Sequence, residues 1–175
     1  GNIDSEQNSS DVSSPASLPG VIAVGAHGKS GDPWKDSARG SLVDPETGEN
    51  RTFPDQKPEI VAPGVDLWSC IDSERDPPYA FSTGTSDSTV MVTGALALII
   101  AIHGEQIAGD DGEIDEQEMR LVKVALANSA KKTAGQVQIH DQKSGYGLLD
   151  AIEWSEQVQN CLLYTSDAAD ERQSV

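Results

Sequence analysis

A serine that follows a short glycine turn is the residue of this sequence best suited to chemistry. The segment Ser82-Thr-Gly-Thr-Ser86 places the Ser86 hydroxyl where an almost unbroken apolar stretch begins. Because a helix N-terminus presents oriented N–H groups and favours developing negative charge, a serine at this position can act as a nucleophile. On this segment alone, however, a role of Ser86 as a helix cap is the simpler interpretation.

The strands that would hold such a serine are short apolar runs bounded by glycine or proline. This pattern predicts strands over residues 20–25 and 58–63, and a further extended piece over residues 65–71. Because strands and helices alternate along the chain, we expect an α/β fold with a largely parallel sheet.

The apolar stretch itself predicts a helix from Ser86 to His103. Asp87 or Ser88 is a suitable cap and Gly104 a suitable stop. The stretch is apolar nearly all round, so we expect a helix buried at the centre of the molecule. Two further helices are predicted over residues 116–130 and from Gly145 to Val158.

Several short blocks occur together and in a recognisable order. They are Gly1-Asn2, Leu18–Ala26, Lys57–Gly64, Gly84–Ser86 with Gly94-Ala95 eight residues further on, Leu126–Ala130 and Gly145–Ala151. Together these blocks resemble the C-terminal half of the catalytic domain of subtilisin-like serine proteases, over roughly residues 1–158. The resemblance implies a three-layer α/β fold that lacks its N-terminal half, and a serine endopeptidase that is secreted.

The resemblance also implies roles for two residues. Ser86 matches the nucleophile that forms an acyl-enzyme with the scissile carbonyl, and Asn2 matches the side-chain amide that stabilises the oxyanion together with the Ser86 N–H. The family's Asp and His precede the serine, yet His27, His103 and His140 all lack the family's histidine motif. We therefore expect that both partners lie in the missing half and that this chain alone is inactive.

Asp87 departs from the family pattern, which has a methionine beside the nucleophile. A carboxylate suits a helix N-terminus, but its charge opposes an oxyanion at Ser86. The alternative function is therefore a catalytically inactive subtilase-fold module that binds peptides or serves as a scaffold.

The charge of the chain limits its partners. The chain contains 12 Lys and Arg residues and 29 Asp and Glu residues, so the formal net charge is −17. This charge disfavours nucleic acid and anionic membrane surfaces, and the apolar run Val90–Ile102 is too short to span a bilayer. We expect a polypeptide substrate and leave the oligomeric state open. The spread acidity also resembles that of proteins from salt-loving organisms.

Three remaining features have plain interpretations. The acidic loop 110–115 fails the EF-hand spacing, so no cofactor is predicted, although structural calcium stays an open possibility. Trp34 and Trp68 are interpreted as packing residues. Residues 1–160 are assigned to the partial catalytic domain, and residues 161–175, which resemble a translated sequencing adapter, to a non-native tail.

Overall fold

A computed structural model of the chain describes residues 1–3, 11–72 and 74–173. Within these residues four short strands precede three helices, and a single 3₁₀ turn (Gly109–Asp111) lies between the first two helices. The elements are β1 (Val24–His27), β2 (Ile60–Pro63), β3 (Leu67–Cys70), β4 (Tyr79–Ser82), α1 (Thr85–Ile107), α2 (Glu116–Ser129) and α3 (Ala151–Gln173).

The strands β1 and β2 form a parallel pair at the centre of this structure. Val24 pairs with Ile60 and Ala26 with Ala62, and these four side chains are buried. Strands without a polar face are typical of parallel sheets that are covered on both sides. The predicted α/β class with a parallel sheet is confirmed, and the strand predicted over residues 58–63 corresponds to β2.

The strand predicted over residues 20–25 begins later, at Val24. The turn before it is held by side chains instead of a neighbouring strand. Lys57 Nζ donates to the Val21 carbonyl at 2.5 Å, and the Ala23 N–H donates to Glu59 Oε2 at 2.8 Å. Because these side-chain contacts satisfy the backbone groups, the segment needs no hydrogen bonds to a neighbouring strand.

Lys57 and Glu59 belong to a buried network of charges. The Lys57 ammonium lies 2.7 Å from Glu59 Oε1, and only 0% and 2% of the two side chains are exposed. Lys123 of α2 reaches Glu59 at 2.7 Å and Asp55 at 2.6 Å. Loss of water lowers the pKa of Lys57 and raises the pKa of Glu59, because burial disfavours both charged forms. The network fastens β2 to the turn before β1 and to α2.

The strands β3 and β4 form an antiparallel hairpin, in which Trp68 pairs with Phe81 and Cys70 with Tyr79. The extended piece predicted over residues 65–71 contains β3. The sequence did not predict β4, because it is four residues long and directly follows two prolines, which indicate a loop.

Helix α1 starts one residue earlier than predicted and continues past Gly104 to Ile107. Its N-cap is Gly84, without a side-chain cap, so neither predicted cap serves. The Ser88 hydroxyl donates to the Ala62 carbonyl, and the Asp87 carboxylate accepts from the Ser82 hydroxyl. Both side chains therefore fix the helix to its neighbours.

The expectation that α1 is buried all round is wrong for this chain. Ile99 is 2% exposed, whereas Leu98 and Ile102 are 66% and 67% exposed. The strands β1 and β2 and helix α3 cover one side of α1 only. By length and composition α1 could cross a membrane, contrary to the expectation from its apolar run, but core helices of water-soluble proteins meet the same criterion.

The core lies between α1, α2, α3 and the parallel pair. Trp154 of α3 is fully buried, and its indole N–H donates to the Val122 carbonyl at 2.9 Å. The prediction of α2 is confirmed, with Asp115 and Glu118 forming a capping box.

The last helix differs from its prediction at both ends. Residues 145–150 are not helical, and α3 begins at Ala151, where the Asp150 carboxylate accepts from the N–H groups of the first turn. The helix continues beyond Val158 to Gln173, and Cys161 and Leu162 pack against the core. Residues 174–175 lie outside the described residues, and the assignment of 161–175 to a non-native tail stays a prediction.

Candidate active site

The N-terminus of α1 is anchored to the carboxyl end of β2. The Gly84 N–H donates to the Gly64 carbonyl at 2.8 Å, and the Ser88 hydroxyl donates to the Ala62 carbonyl at 3.0 Å. A Cβ at Gly64 would collide with the Ser88 hydroxyl and the Gly84 carbonyl. Glycine at this position therefore allows the close approach that sets where α1 begins.

Ser86 is the second residue of α1, and its side chain is exposed. In the described part of the chain no hydrogen bond engages its hydroxyl. The oriented N–H groups of the first helical turn create a positive potential around it. A hydroxyl in this setting can attack a carbonyl once a neighbouring base accepts its proton.

Asn2 lies beside this helix start because its own segment is tied to a neighbouring one. Asn2 forms an antiparallel bridge with Ser37, flanked by two backbone hydrogen bonds. The Asn2 Oδ1 atom accepts from the Thr85 N–H at 3.0 Å and from the Thr85 hydroxyl at 2.9 Å. Since a backbone N–H can only donate, the oxygen must face Thr85 and the amide nitrogen must point elsewhere.

The Asn2 amide nitrogen and the Ser86 backbone nitrogen border the same small volume in front of Gly84. A Cβ built on Gly84 would lie 3.6 Å from Asn2 Nδ2 and 3.8 Å from the Ser86 nitrogen. Two N–H donors beside one volume are what an oxyanion-binding site requires. The structure thus brings together the two residues that the sequence singled out.

The Asp87 carboxylate lies at the edge of the same volume. Its Oδ2 would be 3.7 Å from that Gly84 Cβ, and it accepts a hydrogen bond from the Ser82 hydroxyl at 2.8 Å. The bond holds the carboxylate toward β4 and joins the hairpin to the first turn of α1.

The three histidines are engaged elsewhere. His103 follows Ser86 by 17 residues in one helix, which places it about 26 Å away along the axis, and it contacts the Ser155 hydroxyl at 2.9 Å. His27 contacts the Gly28 carbonyl, and His140 contacts the Pro58 carbonyl. Within the described residues, therefore, no histidine forms a hydrogen bond with Ser86.

Sequence reasoning missed the groups that position this site. Ser88 and Gly64 bring α1 against β2, and the Lys57–Glu59 pair fixes the start of β2. A charged pair two residues apart beside an apolar strand was the available signal for the Lys57–Glu59 pair. In the part of the chain that the structure describes, no three His, Cys, Asp or Glu side chains are grouped to hold a metal ion.

The chain is similar in sequence to subtilisins from Bacillus. It is 35% identical over 103 residues to subtilisin amylosacchariticus of Bacillus subtilis subsp. amylosacchariticus, and 34% identical over 103 residues to subtilisin E of Bacillus subtilis. Both matches cover 59% of this chain, which spans only 22% of the length of these relatives.

Solved structures give the same result for the fold. The prenylagaramide maturation protease PagA superimposes with a TM-score of 0.57 and 28% identity, covering 83% of this chain and 45% of that one. The CspB protease of Clostridium perfringens superimposes with a TM-score of 0.63 and 25% identity, over 84% of this chain and 28% of that one.

The family comparison covers most of the chain. The model of the subtilase family matches residues 1–147, a range that includes the β1–β2 pair, the hairpin, α1 and α2. The chain therefore belongs to the subtilase family of serine proteases.

Proposed function

We propose that this chain carries the nucleophile of a serine endopeptidase, and that Ser86 attacks the carbonyl carbon of a peptide bond. The Ser86 oxygen forms a bond to that carbon, the hydroxyl proton passes to a histidine base, and the carbonyl electron pair moves onto oxygen. Collapse of this intermediate expels the amine, which takes up the proton, and leaves an acyl group on Ser86.

The observation that supports this proposal is that two donor nitrogens border the same volume in front of Gly84. The Asn2 amide nitrogen and the Ser86 N–H would both donate to the oxyanion. Donors that are already oriented stabilise charge without reorganising during the reaction. Asn2 is held by Thr85 and by its bridge to Ser37, so its orientation does not depend on the substrate.

We propose further that the base and its orienting carboxylate come from a segment that precedes this chain in the complete protease. The exposed apolar side of α1 supports this idea, since Leu98 and Ile102 would be covered by such a segment. The chain alone would then have no triad activity. The complete enzyme would be extracellular, as inferred from its family, and its acidic surface would suit a salt-rich medium.

The proposal is tested in the chain extended through the coding sequence upstream of Gly1. The extended protein should hydrolyse a peptide substrate, and Ser86→Ala should abolish turnover. Asn2→Leu should lower kcat by about 10²–10³, a magnitude that comes from a member of this family. Asn50→Leu, at an exposed position on another loop, is the matched control and should retain activity.

A second candidate function is a peptide-binding module without catalysis, and Asp87 is the observation that favours it. Its carboxylate at the edge of the proposed oxyanion site would oppose negative charge there. An extended protein that contains both triad partners and still fails to turn over would favour this module. Activity gained on Asp87→Met would instead identify the carboxylate as a tuning element of an active enzyme.

We also propose that residues 1–160 are native to the partial catalytic domain and that residues 161–175 form a non-native tail. Sequencing the gene locus tests it directly. A coding sequence that continues past Asn160 without adapter-like bases would refute the assignment of the tail.

A further inference from the structure

Three aromatic side chains form an exposed face on the β3–β4 hairpin. The Trp68 ring stacks on Tyr79 with centroids 6.1 Å apart, and meets Phe81 edge-on at 4.8 Å. Their exposed fractions are 58% for Trp68, 45% for Tyr79 and 68% for Phe81. The interpretation of Trp68 as a packing residue is therefore wrong, because its contacts lie within a surface cluster. We call these three residues the aromatic face.

Two hydrogen bonds brace the base of the hairpin that carries the aromatic face. The Ser82 hydroxyl donates to Asp87 in α1, and the Asp66 N–H donates to the Thr83 hydroxyl at 2.9 Å. Side chains alternate along a strand, so Phe81 points away from the Ser82–Asp87 contact. The Ser82–Asp87 hydrogen bond therefore ties the hairpin to α1 on the side opposite the aromatic face.

The aromatic face is nonetheless close to the nucleophile along the chain. Ser86 lies five positions after Phe81 in the sequence, so their Cα atoms are at most about 18 Å apart. An extended polypeptide of about five or six residues covers that distance. A chain bound near Ser86 could thus reach the aromatic face with a neighbouring segment.

Acidic residues predominate in the hairpin that carries the aromatic face and in its loop. Residues 65–87 contain five acidic residues and one basic residue, Arg75, giving a net charge of −4. The exposed carboxylates on the hairpin and its loop are those of Asp66, Asp72, Glu74 and Asp76. Aromatic rings attract cations over their faces, and nearby carboxylates add to that attraction.

We propose that the aromatic face binds a basic, apolar segment of a polypeptide, with an arginine stacked on Trp68 and an apolar side chain or proline against Phe81. Charge complementarity selects this partner, because the acidic surroundings repel an acidic segment. That the segment belongs to the substrate rests on the proposed function. The binding itself does not, since neither Ser86 nor Asn2 takes part.

Binding is measured first, with the 175-residue chain and a fluorescein-labelled peptide of alternating Arg, Pro and Leu. A matched peptide with Glu in place of Arg is the comparison. The double variant Trp68→Ser/Phe81→Ser should bind the Arg peptide about tenfold more weakly, because two exposed ring contacts are lost. Val137→Ser, which changes a residue that is 91% exposed elsewhere, is the control and should bind as the parent does.

A second double variant tests the proposal independently, in case the first variant does not fold. Asp72→Asn/Asp76→Asn leaves the rings in place and should weaken binding of the Arg peptide a few-fold, with a smaller salt dependence. Equal affinity for the Arg and Glu peptides, or no loss in either variant, would overturn the proposal. A loss of self-association in Trp68→Ser/Phe81→Ser without any peptide binding would overturn it too, because a second copy would then occupy the face.

Hydrolysis is measured next, in the extended protease. The ring variant should raise KM about tenfold for a substrate that carries the basic segment, with kcat unchanged, and should leave a short chromogenic substrate unaffected. Ser86→Ala should bind the Arg peptide as tightly as the parent. Binding of the Arg peptide without hydrolysis would refute the proposed function and support binding at the aromatic face. Hydrolysis without binding of the Arg peptide would support the proposed function and refute binding at the aromatic face.

Discussion

Replacement of Lys57 by methionine tests the buried charge network that holds β2 in place. Methionine has a similar length, so the change removes a charge and leaves little empty space. It deletes the 2.7 Å contact with Glu59 and leaves the Val21 carbonyl without its donor. The Glu59 carboxylate stays buried, with Lys123 at 2.7 Å and the Ala23 N–H at 2.8 Å as its partners.

The remaining partners determine the size of the effect. Breaking a buried ion pair by removing one partner costs about 3–5 kcal/mol. Glu59 keeps two of its three contacts, so we expect the lower end, about 3 kcal/mol of unfolding free energy, for Lys57→Met. Lys35→Met is the control, because Lys35 lies 3.4 Å from Asp36 with 85% of its side chain exposed. The control should change stability by less than about 0.5 kcal/mol.

Urea unfolding followed by tryptophan fluorescence measures both variants. Trp154 is buried in the core and should report loss of packing. A Lys57→Met protein that unfolds at the same urea concentration as Lys35→Met would refute the reasoning. It would mean that water reaches Glu59 and that the network carries little of the stability.

Three further outcomes are expected. Ile99→Ala should destabilise the chain by about 2–5 kcal/mol, whereas the exposed neighbour Leu98→Ala should cost less than about 1 kcal/mol in urea unfolding, since only Ile99 faces the core; equal costs would contradict the one-sided packing of α1. Asp150→Ala should cost about 1 kcal/mol at neutral pH, because the carboxylate caps α3. The hydrogen bond from Lys131 holds the pKa of the Asp150 carboxyl below its usual value. The stabilisation that this carboxylate contributes is therefore present above about pH 4 and is lost as the pH falls through its folded-state pKa. The unfolding free energy of the variant should accordingly change less with pH in the acid range. Raising KCl from about 0.1 M to about 1 M should increase the urea midpoint, because salt screens the repulsion within a chain of net charge −17; a midpoint that falls would contradict this.

Local patterns predicted the elements around Ser86 well. A glycine turn followed by an apolar stretch is enough to indicate a helix with Ser86 in its first turn, and α2 carries its own capping residues. These features depend on neighbours within a few residues, which a single sequence displays directly.

Contacts between distant residues could not be predicted in the same way. Asn2 meets Thr85 across 83 residues, and only the resemblance to a family drew attention to it. The burial of Lys57 and Glu59 follows from tertiary packing, which overrides the expectation that charged residues lie at the surface. Which side of α1 is buried depends on the segments that cover the helix, so its apolar composition led to the wrong expectation that it is buried all round.

The central claim is that Ser86 is a nucleophile served by the Asn2 amide, and covalent labelling tests it most directly. The extended protease is treated with a fluorophosphonate, and the modified residue is located by peptide mass spectrometry. The account predicts a single label on Ser86, with labelling slowed strongly in Asn2→Leu and absent in Ser86→Ala. A label on another serine, or the same rate in Asn2→Leu, would contradict it.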